Sequence, residues 1–380
     1  MSSSLDLEKQ LVAQANKALQ PLTVNFELTP LCNQHCEMCF IRSTPQEVAA
    51  LGGLRPATSW LELGRQLLQM DTLFILLTGG EPMLHPEFST IYTSLRDMGF
   101  ILTLNTNGTL ITEKMCRETF HSKPRRVNVT LYGSNADTYE RLCHHHDGFE
   151  QTMRGLHLLL EHGIDTKLNL SIVKSNAGEY EEMMSIADKL GIPVVSNSYM
   201  FPVSRGHGDS KAAGCLSSRL APEEAGHYEC LHLRYLEGEK YEAIARQAVL
   251  QAREGECSME GTTLYCRAAR SAMWVDWRHH VTPCVMMEAP YVDLATGKTH
   301  LLGDSLGTTT SPGQLPPNDL AQAWKWLAET CRHLPPFDDC SGCRLKHVCQ
   351  VCYAAALHEK RQCGTLDYLC KLAQSTINHL

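Results

Sequence analysis

At 380 residues, with 43% hydrophobic and 20% charged side chains, the chain has room for about two to three globular domains, which excludes collagen-like and disordered classes. Lys and Arg number 34 against 42 Asp and Glu, a net charge of -8, so no overall positive field favours nucleic acid or anionic lipid as a partner. The N-terminus, MSSSLDLEKQLVAQ, has no basic stretch followed by an apolar core, and no apolar run approaches a membrane span, so the chain reads as cytoplasmic.

A polar amphipathic segment from Leu5 to Leu19 predicts an N-terminal helix within residues 1–20. Apolar β-rich runs then alternate with helix-period segments. TVNFELT precedes a helix from Ser59 to Met70, FILLTGG one from Pro86 to Asp97, ILTLNTNG one near Glu113, and RVNVTLYG helices across Asp137 to His162. DTKLNLSIV precedes Tyr180 to Leu190, and PVVSNSYMF closes the series. The alternation predicts an α/β fold, a parallel sheet or open barrel of βα units over 21–215, with ligands gathered where the strands end. A charged helical segment from Ala221 to Gln251 predicts a connector over 216–256. The remainder, 257–380, has few periodic runs, a Thr/Pro/Gly loop from Gly307 to Pro317 and much of the cysteine, which predicts a loop-rich domain held by metal more than by a hydrophobic core.

Cysteine is over-represented, at 17 residues, in a chain read as living in a reducing compartment, so thiolates are expected to serve as metal or iron-sulfur ligands. Cys32, Cys36 and Cys39 stand in CNQHCEMC directly after the first predicted strand. Three thiolates can hold three irons of a cubane and leave the fourth open. A zinc site would need a fourth ligand, and only His35 is local. After the second strand, TGGEP offers two glycines for close backbone approach and the Glu81 carboxylate for an ammonium group.

Together these motifs resemble the radical S-adenosylmethionine (SAM) superfamily, whose CxxxCxxC loop follows strand one of a partial (β/α)6 barrel. The resemblance implies a 4Fe-4S cluster on Cys32, Cys36 and Cys39, with SAM on its open iron and its amino group at Gly79, Gly80, Glu81 and Pro82. Asn107 in TNG matches the pattern, and Thr130 and Arg141 stand where relatives contact ribose or carboxylate. Met38 occupies a position that is usually aromatic, so adenine contact falls to backbone and thioether.

The C-terminal run CSGCRLKHVCQVC resembles the SPASM extension of that superfamily, a cysteine-rich domain with two auxiliary 4Fe-4S clusters. By that resemblance Cys340, Cys343, Cys349 and Cys370 hold the outer cluster, and Cys266, Cys284 and Cys352 belong to the inner one, for three clusters in all. The final CxxC has two intervening residues where three are common, and His279 replaces a glycine, although histidine tolerates the left-handed region. A zinc ribbon is the competing reading, but only five residues separate the two CxxC pairs. Cys116, Cys143, Cys215, Cys230 and Cys331 read as small buried hydrophobes. Cys257 and Cys363 are candidates for the inner cluster's fourth ligand, and an iron left open to a substrate thiolate is the favoured alternative. The His144-His145-His146 run reads as a polar or substrate-facing surface.

The resemblance implies a peptide maturase that uses a 5'-deoxyadenosyl radical to abstract hydrogen from a ribosomally made peptide, forming a crosslink or other modification. A sulfatase-type maturase or a small-molecule radical SAM dehydrogenase is the alternative; Val285 follows Cys284 where sulfatase maturases carry an Asp base. No catalytic residue is assigned. Expected partners are a precursor peptide and an electron donor such as flavodoxin or ferredoxin. Because only about 20 residues precede the first strand, too few to fold alone, any leader binding is expected to be direct or through a separate leader-binding protein.

Overall fold

The computed structural model describes residues 2–203, 205, 209–254, 266–302, 309–340, 343–347, 349 and 352–380. Helix α1 (Ser2–Ala18) leads into β1 (Thr23–Glu27), α2 (Pro45–Ala50), α3 (Ala57–Gln69), β2 (Phe74–Thr78), α4 (Phe88–Asp97), β3 (Ile101–Thr106), α5 (Glu113–Glu118) and β4 (Arg126–Leu131). Next come α6 (Ala136–Cys143), α7 (Gly148–Glu161), β5 (Thr166–Ser171), α8 (Tyr180–Leu190) and β6 (Val194–Asn197), then α9 (Asp209–Ser218), α10 (Pro222–Glu237) and α11 (Tyr241–Glu254). The C-terminal part holds β7 (Ala272–Val275), β8 (His280–Thr282), β9 (Tyr291–Asp293), β10 (Lys298–Leu302), β11 (Thr309–Gln314), α12 (Leu320–Arg332), α13 (Tyr353–Cys363) and α14 (Asp367–His379).

Strands β1 to β6 pair in sequence order and in parallel, so their C-terminal ends lie at one rim of an open arc. Their period-2 alternation explains the two faces. Val24, Phe26, Leu102, Val127, Val129 and Leu168 are buried on one face. The amphipathic helices cover it, with Trp60, Leu63 and Leu67 of α3 and Phe88, Ile91 and Leu95 of α4 all buried. The other face carries Asn25, Asn105, Asn128 and Asn169, all half-buried. Asn105 and Asn128 are register partners, and Asn128 Nδ2 donates to Asn105 Oδ1 at 2.7 Å. The interior of the arc therefore carries amides on β1, β3, β4 and β5, beside Phe74 and Leu76 of β2.

The sheet does not stop at the barrel. β7 pairs in parallel with the free side of β1, and β8 to β11 continue it as an antiparallel meander, giving 11 strands from β6 to β11. This goes beyond the sequence reading, which found few periodic runs past Cys257 and a loop across Gly307 to Pro317, where β11 lies. These strands are short, three to six residues, so few alternations mark them. Nor is the C-terminal part without an apolar core, since Val275, Val281, Leu327 and Tyr353 join the same buried cluster as Val24 and Leu104. The expected connector is also integrated: α10 packs along α14, where a Cβ at Gly226 would meet Ser375 Oγ at 2.5 Å.

One buried ion pair ties this region together. Arg219 Nη1 lies 2.5 Å from Glu359 Oε1 on α13, with the two side chains 14% and 1% exposed, and its guanidinium sits over the Tyr368 ring of α14 at 3.8 Å. Removing one partner strands a buried charge, so Arg219→Ala is expected to cost about 3–5 kcal/mol in apoprotein stability. Arg117→Ala breaks an exposed pair with Glu113 and should leave the midpoint nearly unchanged. Denaturation midpoints of the two variants test the contrast.

Candidate functional site

The CNQHCEMC segment has no ladder of its own, so its backbone groups find partners on surrounding elements. His35 N–H and Glu37 N–H donate to the Cys143 and Leu142 carbonyls at 2.8 and 3.1 Å, using two of the orphan acceptors at the end of α6. From the other side, Gly80 N–H and Glu81 N–H donate to the Thr29 and Leu31 carbonyls, both at 2.7 Å. This contact leaves no space for a side chain: a Cβ at Gly79 or Gly80 would lie 2.4 Å from the Thr29 or Leu31 carbonyl oxygen. The glycines are required by close approach.

Two sulfurs in the loop accept backbone hydrogen bonds, Cys32 from Gln34 N–H and Cys39 from Arg42 N–H, each at 3.4 Å. Asn107 Nδ2 donates to Asn33 Oδ1 at 2.9 Å and lies 3.7 Å from Cys32 Sγ, joining the TNG turn to the loop. Burial pushes the Cys32 thiol up to about 12. A buried thiolate needs a compensating cation, which iron would supply. Among the described residues no three His, Cys, Asp or Glu side chains converge closely enough to hold a single metal ion. A cubane takes one thiolate at each of its irons and accepts thiols that stand apart. The donor set, its N–H to sulfur bonds and the glycine cradle fit such a cluster.

Glu81 is fully buried and turned inward. Its Oε2 accepts from Thr106 Oγ1 at 2.8 Å and Asn107 N–H at 2.9 Å, and its Oε1 accepts from Met83 N–H at 3.2 Å. The carboxylate thus joins the ends of β2 and β3, which the sequence reading did not foresee, and keeps about one acceptor site spare. Pro82, also buried, opens the short helical turn that follows. Met38 is buried, and its carbonyl accepts from the Cys215 thiol at 3.2 Å. Thr130 sits on the interior face as register partner of Asn169. Arg141 is directed elsewhere, donating to Thr138 Oγ1 at 2.8 Å beside Glu179.

Several residues near the loop carried no motif. The Cys143 thiol and the Tyr132 hydroxyl both lie against Cys36, and His145 Nδ1 is 3.2 Å from the Asn33 carbonyl. The four interior asparagines did leave a trace, each following an aliphatic residue within VNF, LNT, VNV and LNL. Above the rim lies a cavity of about 580 Å³ between Phe40 and Ile41 of the loop, Glu27 of β1 and Asp276, His280 and Thr282 of the C-terminal sheet. Glu27 Oε2 is 2.7 Å from Arg205 Nη1 and accepts from Trp274 Nε1 at 3.0 Å. Burial opposes the charge of Asp276, but His280, Arg278 and Arg205 outweigh it and hold the carboxyl below its usual range.

The C-terminal cysteines fall into two groups. Cys340, Cys343, Cys349 and Cys370 are electrostatic neighbours, and burial pushes the Cys349 thiol up to about 12. Cys284 lies near Cys352 and Cys266, and burial pushes it, too, up to about 12. His279 adopts the left-handed conformation, φ 68°, in the turn before Cys284. Cys363 is exposed at the end of α13, 3.9 Å from Arg219 Nη2. Cys257 lies outside the described residues.

Residues 26–187 match the Radical SAM superfamily. This stretch is a radical SAM domain. The chain is similar to an AdoMet-dependent heme synthase of Methanosarcina barkeri, 26% identical over 49% of this chain and 52% of that one. It is similar also to the antilisterial bacteriocin subtilosin biosynthesis protein AlbA of Bacillus subtilis, 27% identical over 50% of this chain and 42% of that one. The chain thus matches about half the length of these relatives or less. The structure of Streptococcus suis SuiB bound to precursor peptide SuiA superposes with a TM-score of 0.61 at 18% identity, covering 94% of this chain and 78% of that one. The shared fold therefore includes the cysteine-rich C-terminal part. Among the described residues no helix is long and apolar enough to cross a membrane.

Within the radical SAM domain, burial pushes the Glu81 carboxyl up to about 7 from an ordinary 4.5, although Asn107, Thr106 and Met83 favour its charged form. A carboxyl raised on folding contributes most below its unfolded value and loses that contribution as pH climbs to the folded one. Relative to wild type, Glu81→Gln should gain about 3 kcal/mol between pH 4.5 and 7, then level off. Urea midpoints measured without SAM across that range check the sign; a difference independent of pH would contradict it.

Proposed function

We propose that this chain is a radical SAM peptide maturase that abstracts a hydrogen atom from a ribosomally made peptide to form a crosslink or other modification. The observation that carries the reading is the three-cysteine loop seated on a glycine cradle, followed directly by Phe40 and Ile41, which line a cavity shared with the C-terminal sheet. The similarity to AlbA and the fold shared with SuiB support a peptide substrate. Cys32, Cys36 and Cys39 would hold the SAM-binding 4Fe-4S cluster. Cys340, Cys343, Cys349 and Cys370 would hold an outer SPASM cluster, and Cys266, Cys284 and Cys352 would belong to an inner one. When bound, cluster and SAM supply reductive cleavage of the sulfonium and the radical that takes hydrogen from unactivated carbon.

The chain's own residues bind and orient. Glu81 joins the cradle to β3, so the SAM methionine group would meet a preformed surface of Gly79, Gly80, Pro82 and Asn107. Thr130, on the interior face, would meet the ribose, and adenine would lie along the backbone at Met38. Arg141, committed to Thr138, would need to turn to reach SAM. In the cavity, the Glu27–Arg205 pair and Asp276 give a substrate charged and polar contacts. Electrons would come from a flavodoxin or ferredoxin, and a peptide leader would bind directly or through a separate protein.

A small-molecule substrate is the second reading, favoured by the similarity to a heme synthase and by a cavity of small-ligand size. Anaerobic reconstitution is expected to give about 12 iron per chain, and Cys32, Cys36 and Cys39→Ala to lose about four of them together with SAM cleavage. Coexpression with a short peptide encoded beside the chain, followed by mass spectrometry, separates the readings. A mass change in the peptide supports maturation, and an unmodified peptide with SAM cleavage stimulated by a porphyrin favours the second.

A further inference from the structure

The inner set of thiols is one short of a complete cubane. The inference that follows rests on the reading that Cys266, Cys284 and Cys352 hold an auxiliary cluster. Cys363, a sequence candidate for the fourth position, ends the helix that Cys352 caps, and at 1.5 Å per residue their separation is about 16 Å, more than one cluster spans.

Helix α12 packs against β8 and β9, immediately before and after the Cys284 turn. Its buried stripe runs Leu320, Ala323, Trp324, Leu327, Ala328 and Cys331, a spacing that would account for an ordinary packing residue at its end. The surroundings of that last position are different. Cys331 is 3% exposed, in the core cluster against which both Cys284 and Cys352 pack. The sulfurs that act on its thiol are those of Cys284 and Cys266. Tyr353, next in sequence to Cys352, is in turn influenced by Cys331. A helix, a strand end and a helix N-terminus, together with the exposed segment at Cys266, thus bring four thiols to one neighbourhood at the edge of the core, although Cys331 belongs to no motif.

We propose that Cys331 is the fourth protein ligand of the inner auxiliary cluster, completing the set of Cys266, Cys284 and Cys352. On binding, its thiol releases a proton to solvent and its sulfur takes the iron that the other three leave open. The cluster is then closed. It can carry electrons but has no iron to offer a substrate thiolate, in contrast to the open site favoured from sequence.

The test uses the full chain with Cys32, Cys36 and Cys39 replaced by Ala, so that only auxiliary iron is counted. This parent should bind about eight iron and show two reduced-cluster resonances. About four iron, or stoichiometric zinc, would overturn the two-cluster reading and the proposal with it. Given eight, Cys331→Ala in the same background is expected to lose about four iron, or to convert one resonance to a three-iron signal, while Cys257→Ala and Cys363→Ala keep both. Unchanged iron and resonances in Cys331→Ala would overturn the proposal, as would selective loss in Cys257→Ala. Should Cys331→Ala fail to fold, the parent itself decides: added 2-mercaptoethanol leaves the inner resonance unchanged if the cluster is closed, and a shift overturns the proposal.

Discussion

A loop that must present three thiols in fixed directions satisfies only part of its backbone with hydrogen bonds of its own, such as Cys39 N–H to the Cys36 carbonyl. The rest has to be satisfied from outside, and the remaining architecture of the site follows from that need. β2 supplies two N–H groups from a strand end stripped of side chains, and α6 supplies two carbonyls that a helix terminus leaves over. Asn107 and Glu81 then fix β3 to the same assembly. The cysteine loop is thereby held by three βα units, and the geometry of a cofactor site becomes a property of strand register.

The barrel was legible because its strands repeat one pattern. An aliphatic residue at every second position and helices of the right length between them suffice to place β1 to β6, since each strand pairs with its neighbour in the chain. β7 to β11 escaped for two reasons. They are short, and β7 takes its partner, β1, from about 250 residues away, a pairing no local period announces. The cysteine motifs could be read because ligand spacing is itself a sequence feature.

Other parts of the site have no such spacing. Glu27 and Arg205 are 178 positions apart and meet only because the chain returns to the rim of β1 after β6. Cys143 and Cys331 looked like small hydrophobes, as burial alone would make them, and only the elements packed around them show the sulfurs they face. Glu81 has a structural role that its motif did not announce. Its motif suggested a charge offered to a ligand, and the fold uses most of its acceptor capacity to hold two strands together.

The parallel pairing of β7 with β1 also bears on how the two parts of the chain depend on each other. β1 carries the cysteine loop at its end and lies in the interior of the sheet, between the barrel on one side and the C-terminal meander on the other. A fragment ending before β7 would leave a row of unpaired N–H and C=O groups along β1, an exposed strand edge able to template association with other chains. Truncation ahead of β7 would therefore expose this edge and act on the radical SAM domain as a loss of solubility.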